Sequence, residues 1–416
     1  MNELRVLISA AEASSDVHGA ELLTALKRLG SERGFSVRAM GIGGPRLQGA
    51  GLETVFDARE LLAMGFLEVI VRLPRILKGL SRIASAAVQF RPDVAVVIDY
   101  PDFHFKLARR LGKLGVPLVY YIPPKVWVWR TGRVKRLREG FRKVLGIFPF
   151  ETTFFRGHGV PFEYVGNPLL DELPLSLTRE EARAKLGLSA SDRVLLLMPG
   201  SRPAELSFHL EVMLNGAALC AERMDTKLRV LMPLPHTANV EMLRAKVEAW
   251  RVRNERSECL DVRVSQGDAA VAMRAADAGL VKSGTSTLEA AVLQCPHAVV
   301  YRTGRLTGWL FRIIVRYQGP VGLVNLVAAW NPEQPDFHRS AAAPRVAREI
   351  LLGDVTVENL AQEALRLLED SAYRSALVSG LEQVRKKLTG NGESQSPSLR
   401  AALEVLSVGR PEGVNP

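Results

Sequence analysis

The sequence predicts an α/β protein built as two doubly wound domains facing a cleft. Three observations carry that reading. The chain has 416 residues, beyond the size of roughly 250–300 at which a single hydrophobic core stops growing. Short apolar, β-branched runs alternate with longer amphipathic stretches, as in parallel sheets covered on both faces. The alternation pauses once, in the Pro-rich and acidic stretch near 167–178, and then resumes.

In the first half, strands are predicted at 4–10 ("LRVLISA"), 36–42, 93–99, 117–122, 143–148 and 162–166. Helical patterns such as "GAELLTALKRLG" and "FKLARRLGKLG" lie between them. The second half repeats the theme with strands at 193–200, 227–233, 261–265, 278–284 and 297–302. After Asp354 the pattern is helical only; "TGNGESQSPS" (389–398) breaks it, and the tail reads as frayed.

Bulk properties narrow the function. A hydrophobic fraction of 47% and a charged fraction of 24% exclude a disordered or fibrous chain. Cys220, Cys259 and Cys295 form no pair and no metal-like spacing, which points to a reducing compartment. The N-terminus reads as a first strand and not as a secretory signal. No window holds the roughly eighteen apolar residues of a membrane span. A net charge of +11 implies an anionic partner. The basic residues lack interleaved aromatics, which argues against nucleic acid.

Ligands of open α/β sheets bind outside the carboxyl ends of the strands, so each strand-to-helix handover was read for polar chemistry. In "VLLLMPGSRPAEL" (194–206), Gly200 allows a tight turn, Ser201 can cap the following helix, and Arg202 sits in its first turn. A cation there opposes the helix dipole unless an anion lies between them; the ordinary alternative is a surface pair with Glu205. In "AGLVKSGTSTLEAAVLQCP" (278–296), Ser283, Gly284 and Thr285 suit diphosphate oxygens, and Glu289 can accept from ribose hydroxyls. The alternative is a Ser/Thr cap with an acidic first turn.

In "VVIDYPDFHFKLARRL" (96–111), Asp99 ends an apolar strand, and Pro101 keeps Tyr100 out of helical conformation. Asp99 is thus a candidate general base or a turn former, whereas Asp102 reads as an N-cap. "LISAAEASSDVHGAEL" (7–22) places Glu12, Ser14, Ser15 and Asp16 before a helix expected near Val17. Substrate contact and capping by Ser15 or Asp16 both fit, and His18 has no metal-ligand partner. Trp127 and Trp129 are expected in the core. The stretches 65–90, with Arg72, Arg75, Lys78 and Arg82, and 304–319, with Trp309 and Phe311, resemble interfacial amphipathic helices. Helices packed on the sheet with snorkelling arginines are the alternative.

Together these segments resemble the lipid-A-disaccharide synthase family from Val6 to about Leu388. The carrying motifs, in order, are "EASSD" (12–16), "GIGGPRLQGAGLE" (41–53), "LLAMGFLEVI" (61–70), "IDYPDFHF" (98–105), "VWVWR" (126–130), "FPFE" (148–151), "VGNPLLD" (165–171), "LMPGSRPAEL" (197–206), "SGTSTLEA" (283–290) and "VNLVA" (324–328). The sequence departs from the usual family pattern at Ala11 and Ser15, where glycines are common, at Pro123 and Lys125, where serines are, and at Asn167.

The resemblance implies a GT-B glycosyltransferase of two Rossmann-like domains: 1–172 for the acceptor, 173–370 for the UDP-sugar, and helices from 371–416 packing back on the first. It implies an inverting, metal-independent transfer from UDP-2,3-diacylglucosamine to 2,3-diacylglucosamine 1-phosphate, giving a β-1,6 disaccharide 1-phosphate and UDP. No cofactor is implied. A cytoplasmic protein peripheral on the inner membrane is, touching anionic lipids, and a homodimer is compatible. By resemblance Asp99 is the catalytic base, and Arg202, Glu289 and Asn325 are UDP-side groups. Glu12, Ser14, Ser15, Gly200, Ser201, Glu205, Ser283, Gly284, Thr285 and Arg302 complete the expected substrate set. Another GT-B UDP-sugar enzyme, or a non-catalytic membrane-associated nucleotide-sugar binder, is the alternative.

Overall fold

The protein is described here by a computed structural model covering residues 3–58, 66–126, 132–236, 238–304, 319–333, 342–389 and 395–410, without the side chains of 13 and 66–76. Trp127, Trp129, Trp309, Phe311 and the side chains of Arg72 and Arg75 lie outside the described residues.

The chain divides into two compact units: residues 1–171 with 388–416, and residues 172–387. The first holds a parallel sheet of β1 (Glu3–Ala10), β2 (Ser36–Gly43), β3 (Leu52–Asp57), β4 (Val94–Ile98), β5 (Leu118–Tyr121), β6 (Lys143–Gly146) and β7 (Phe162–Tyr164), in the order β3-β2-β1-β4-β5-β6-β7. The second holds β8 (Val194–Met198), β9 (Leu228–Leu234), β10 (Leu260–Gln266), β11 (Ala278–Lys282), β12 (His297–Tyr301) and β13 (Glu349–Leu351), in the order β10-β9-β8-β11-β12-β13. Every described pairing is parallel. The central strands are buried on both faces, which is why they read as unbroken apolar runs.

Two edge strands escape the sequence pattern. β3 sets exposed Glu53 and Thr54 between buried Leu52 and Phe56, and β13 has only three residues. Both lie at the margin of a sheet, where one-sided burial suffices.

The described part of the helix Phe66–Phe90 packs one face on the sheet. Leu80, Ile83, Ala87 and Phe90, at helical spacing, enter the core of the first unit. Lys78 and Arg82 stay exposed on the other side. The expected C-terminal segment also divides differently. Helix Ser371–Leu388 stays with the second unit up to Lys387, and the helix Pro397–Gly409 is the part that joins the first. There Ala401, Ala402, Val405 and Leu406 pack with Leu4, Leu22 and Val94.

Strand order reverses between β1 and β4 in one sheet, and between β8 and β11 in the other. Loops leaving such neighbours diverge to opposite faces and open a crevice at the strand ends. Each handover singled out by its polar residues sits at one of these points.

Candidate active site

At the first switch point the chain is bent against its preference. Asp99 and Tyr100 have φ of 52° and 45°, conformations that cost roughly 1–3 kcal/mol each in non-glycine residues. Hydrogen bonds hold them there. The Asp99 N–H donates to the Tyr121 carbonyl at 3.1 Å. Its carbonyl accepts from the Tyr120 hydroxyl at 2.8 Å and from His104 Nδ1 at 2.5 Å. His104 Nε2 lies 2.9 Å from Ser9 Oγ. A carbonyl can only accept, so Nδ1 carries a proton, and in the neutral ring Nε2 then accepts from the Ser9 hydroxyl. Burial, only partly opposed by the bond to Asp99, lowers the His104 pKa to about 4.

This frame carries the Asp99 carboxyl. Burial raises its pKa, against the opposing pull of the Tyr100 N–H, Lys125 and His18. It is therefore a stronger base than an ordinary carboxylate. Ser9, His104 and Tyr120 were not singled out from sequence. The available signal was His104 itself, one helical turn beyond the bend and able to reach back. Replacing His104 with Leu is expected to lower kcat about 10²-fold through misplacement of Asp99, with UDP affinity unchanged. His104→Asn, which keeps a donor for the Asp99 carbonyl, should recover part of the loss in steady-state kinetics.

The loop after β1 differs from expectation. The helix begins at Ala13, with Glu12 as N-cap residue, not near Val17. Asp16 lies within that helix, and its carboxylate caps another one, accepting from the N–H groups of Gly44, Arg46 and Leu47. Ser15 is fully buried, so it is corrected from a substrate contact to a packed residue. Ser14 is exposed, and the charge of Glu12 reaches Tyr100 and Tyr120 beside Asp99. Asp102 is not the N-cap; Tyr100 is, and exposed Asp102 pairs with Arg133.

In the second unit, Gly200 has φ of 108°, and a Cβ there would lie 2.5 Å from Glu205 Oε2. Only glycine fits this turn. Glu205 Oε2 accepts from the N–H groups of Ser201 and Arg202 at 3.0 and 3.3 Å. Its Oε1 takes Lys282 Nζ at 2.9 Å. Burial pushes the Glu205 pKa up, but Lys282 and these two amides outweigh it and the net shift is downward. Glu205 thus organises the loop, and one expectation is corrected: the cap comes from Glu205 and not from Ser201. Arg202 approaches Glu205 only to 3.8 Å and keeps its side chain 80% exposed.

The loop after β11 runs beside it. Ser283 donates its N–H to Val300, and its hydroxyl lies 3.5 Å from the Val321 carbonyl. Thr285 is exposed, and its hydroxyl makes no capping bond. Glu289 is half-buried; desolvation first and Glu172 second raise its pKa to about 7. None of the described residues hydrogen-bonds its carboxyl. Arg302 is exposed, and its N–H donates to His209 Nε2 at 2.9 Å, while His209 Nδ1 bonds the Glu205 carbonyl.

Asn325 is corrected outright. It is fully buried, donating to the Ala347 carbonyl and to Glu349 and accepting from the N–H groups of Val346 and Ala347. Its side chain fastens the segment before β13 and has nothing left for a nucleotide. Sequence reading missed Lys282, which bonds Glu205 across 77 residues, and His209, which takes the Arg302 N–H across 93.

Residues 6–394 match the profile of the family described as lipid-A-disaccharide synthetase. A lipid-A-disaccharide synthase from Myxococcus xanthus is 38% identical over 410 residues, 98% of this chain and 99% of that protein. One from Anaeromyxobacter dehalogenans is 39% identical over 407 residues, 98% of each. Among solved structures, MurG from Acinetobacter baumannii has a TM-score of 0.54 at 14% identity, covering 98% of this chain and 99% of that one. A UDP-GlcNAc 2-epimerase from Neisseria meningitidis bound to UDP-GlcNAc has a TM-score of 0.56 at 11% identity, over 98% and 99%. These likenesses give the GT-B glycosyltransferase fold. With the full-length match in sequence, they place the chain in the lipid-A-disaccharide synthase family.

Proposed function

We propose that this family member transfers 2,3-diacylglucosamine from UDP-2,3-diacylglucosamine to 2,3-diacylglucosamine 1-phosphate, releasing UDP. The observation that supports it most directly is Asp99: a carboxyl of raised basicity, held at a switch point by a strained but fully bonded backbone. Asp99 takes the proton from the acceptor's 6-hydroxyl as that oxygen attacks the anomeric carbon, and the configuration inverts. Such general-base assistance contributes roughly 10²–10⁴-fold.

Negative charge grows on the departing diphosphate. Arg202 and the hydroxyls of Ser283 and Thr285 stabilise it as preorganised donors, without a metal. The Ser201 and Arg202 amides are already engaged by Glu205, so the guanidinium and not the helix end is the main anion contact of its loop. Glu289 holds the ribose hydroxyls. Among the described residues no helix is long and apolar enough to cross a membrane. Exposed Leu77 and Val88, with Lys78 and Arg82 nearby, suit a surface lying on anionic headgroups at the inner membrane.

The test is a thin-layer assay with acylated donor and acceptor: a disaccharide 1-phosphate is expected, and no product from acylated substrates rejects the reading. Arg202→Ala should raise the donor KM about tenfold, the loss of one charge-assisted contact. Unchanged donor kinetics would remove Arg202 from the site.

A further inference from the structure

A corner of the second unit gathers more charge than the expected UDP contacts account for. Lys282 ends β11, immediately before Ser283 and Gly284, and its ammonium lies 3.9 Å from where a Gly284 Cβ would stand. It reaches across to Glu205, the residue that shapes the loop after β8. The side chains of this pair are 22% and 19% exposed, so neither is buried beyond reach of a ligand. His209 feels Glu205, Lys282 and Arg302 together, and burial lowers its pKa so that it adds no charge at neutral pH. Arg202 and Lys282 pair with Glu205, and the charge of Arg302 reaches His209 beside them, so three cations face one carboxylate, an excess of two positive charges.

We infer that Lys282 is a diphosphate-binding residue, held on Glu205 in the free protein and shared with the donor's phosphates when a nucleoside diphosphate enters. The chemistry follows from the inventory. An ammonium has three N–H donors, and Glu205 occupies one of them. The others are at the edge of the Ser283–Thr285 loop. A diphosphate joining a nucleoside to a sugar carries two ionised phosphates, which matches the local excess. Glu205 neutralises the third cation and keeps the lysine in place while the site is empty. This inference rests on the donor-site reading above and adds a residue to it.

The experiment measures UDP binding to the full chain by calorimetry, with thermal melts as a check on folding. Lys282→Met is expected to weaken UDP about tenfold to a hundredfold, the effect of losing a charge-assisted contact. Lys282→Arg should retain most of the affinity. Glu205→Gln keeps an acceptor for the loop amides and should bind UDP as tightly as wild type or a few-fold tighter, roughly as expected when a competing charge is removed. The decisive protein is the double variant Lys282→Met, Glu205→Gln. If the lysine only neutralises Glu205, the double variant recovers wild-type affinity and the inference is overturned. If the lysine holds phosphate, the double variant stays as weak as Lys282→Met. A Glu205→Gln protein as weak as Lys282→Met also overturns it, by assigning the effect to loop shape. Wild-type protein that fails to bind UDP rejects the donor-site reading itself. Binding by wild type with Lys282→Met unaffected rejects the lysine alone.

Discussion

Asp99→Asn is expected to reduce turnover by about 10²–10⁴-fold, the range of general-base assistance, with UDP affinity essentially unchanged. Asn is nearly isosteric and among the residues that best tolerate positive φ, so the bend at residues 99 and 100 survives the change. The Tyr120 and His104 bonds go to the backbone carbonyl and are untouched. What disappears is the basic oxygen alone. The pH profile carries the same signature. Catalysis needs the ionised carboxylate, and burial raises its pKa. The acid limb of kcat/KM should therefore lie above the usual aspartate value near ~3.9, with activity rising as pH rises through it. His104 stays neutral down to about pH 4 and so does not contribute to that limb. Wild-type-like turnover by the Asn variant would exclude Asp99 as the base.

The second large effect concerns stability. Asn325→Leu removes two donated and two accepted hydrogen bonds in one step. The N–H groups of Val346 and Ala347 lose their acceptor, and Glu349, itself 3% exposed, loses a donor. Each buried polar group left unsatisfied costs about 1–3 kcal/mol, so a loss of roughly 3 kcal/mol or more is expected. Urea unfolding should report it, while the protein that remains folded binds UDP normally. A variant of full stability with impaired UDP binding would restore Asn325 to the ligand site.

How much of this was legible in the sequence depends on the distance over which each residue acts. Parallel strands covered on both faces announce themselves as apolar runs, so the central strands and the two-unit plan could be read directly. β3 and β13 could not, because an edge strand needs neither length nor continuous burial. Asp99 was visible because a carboxylate after "VVI" and before a proline has few local explanations. Glu205, by contrast, looked like a surface partner for Arg202. That pair exists at 3.8 Å, but the closer partner, Lys282, is 77 residues away. Asn325 failed for the same reason, since its bonds close a gap to residues 346, 347 and 349 that no periodicity reveals. Asp16 caps a helix about thirty residues further on, where local capping rules pointed to its own.

The helix Pro397–Gly409 gives the first unit a temporal peculiarity. A ribosome makes nearly all of that unit first, then the whole of the second, and only then the segment that seals the sheet beside Leu4, Leu22 and Val94. Through most of translation that apolar face has no cover, an opening for chaperones or for aggregation. The first unit, though begun first, is finished last.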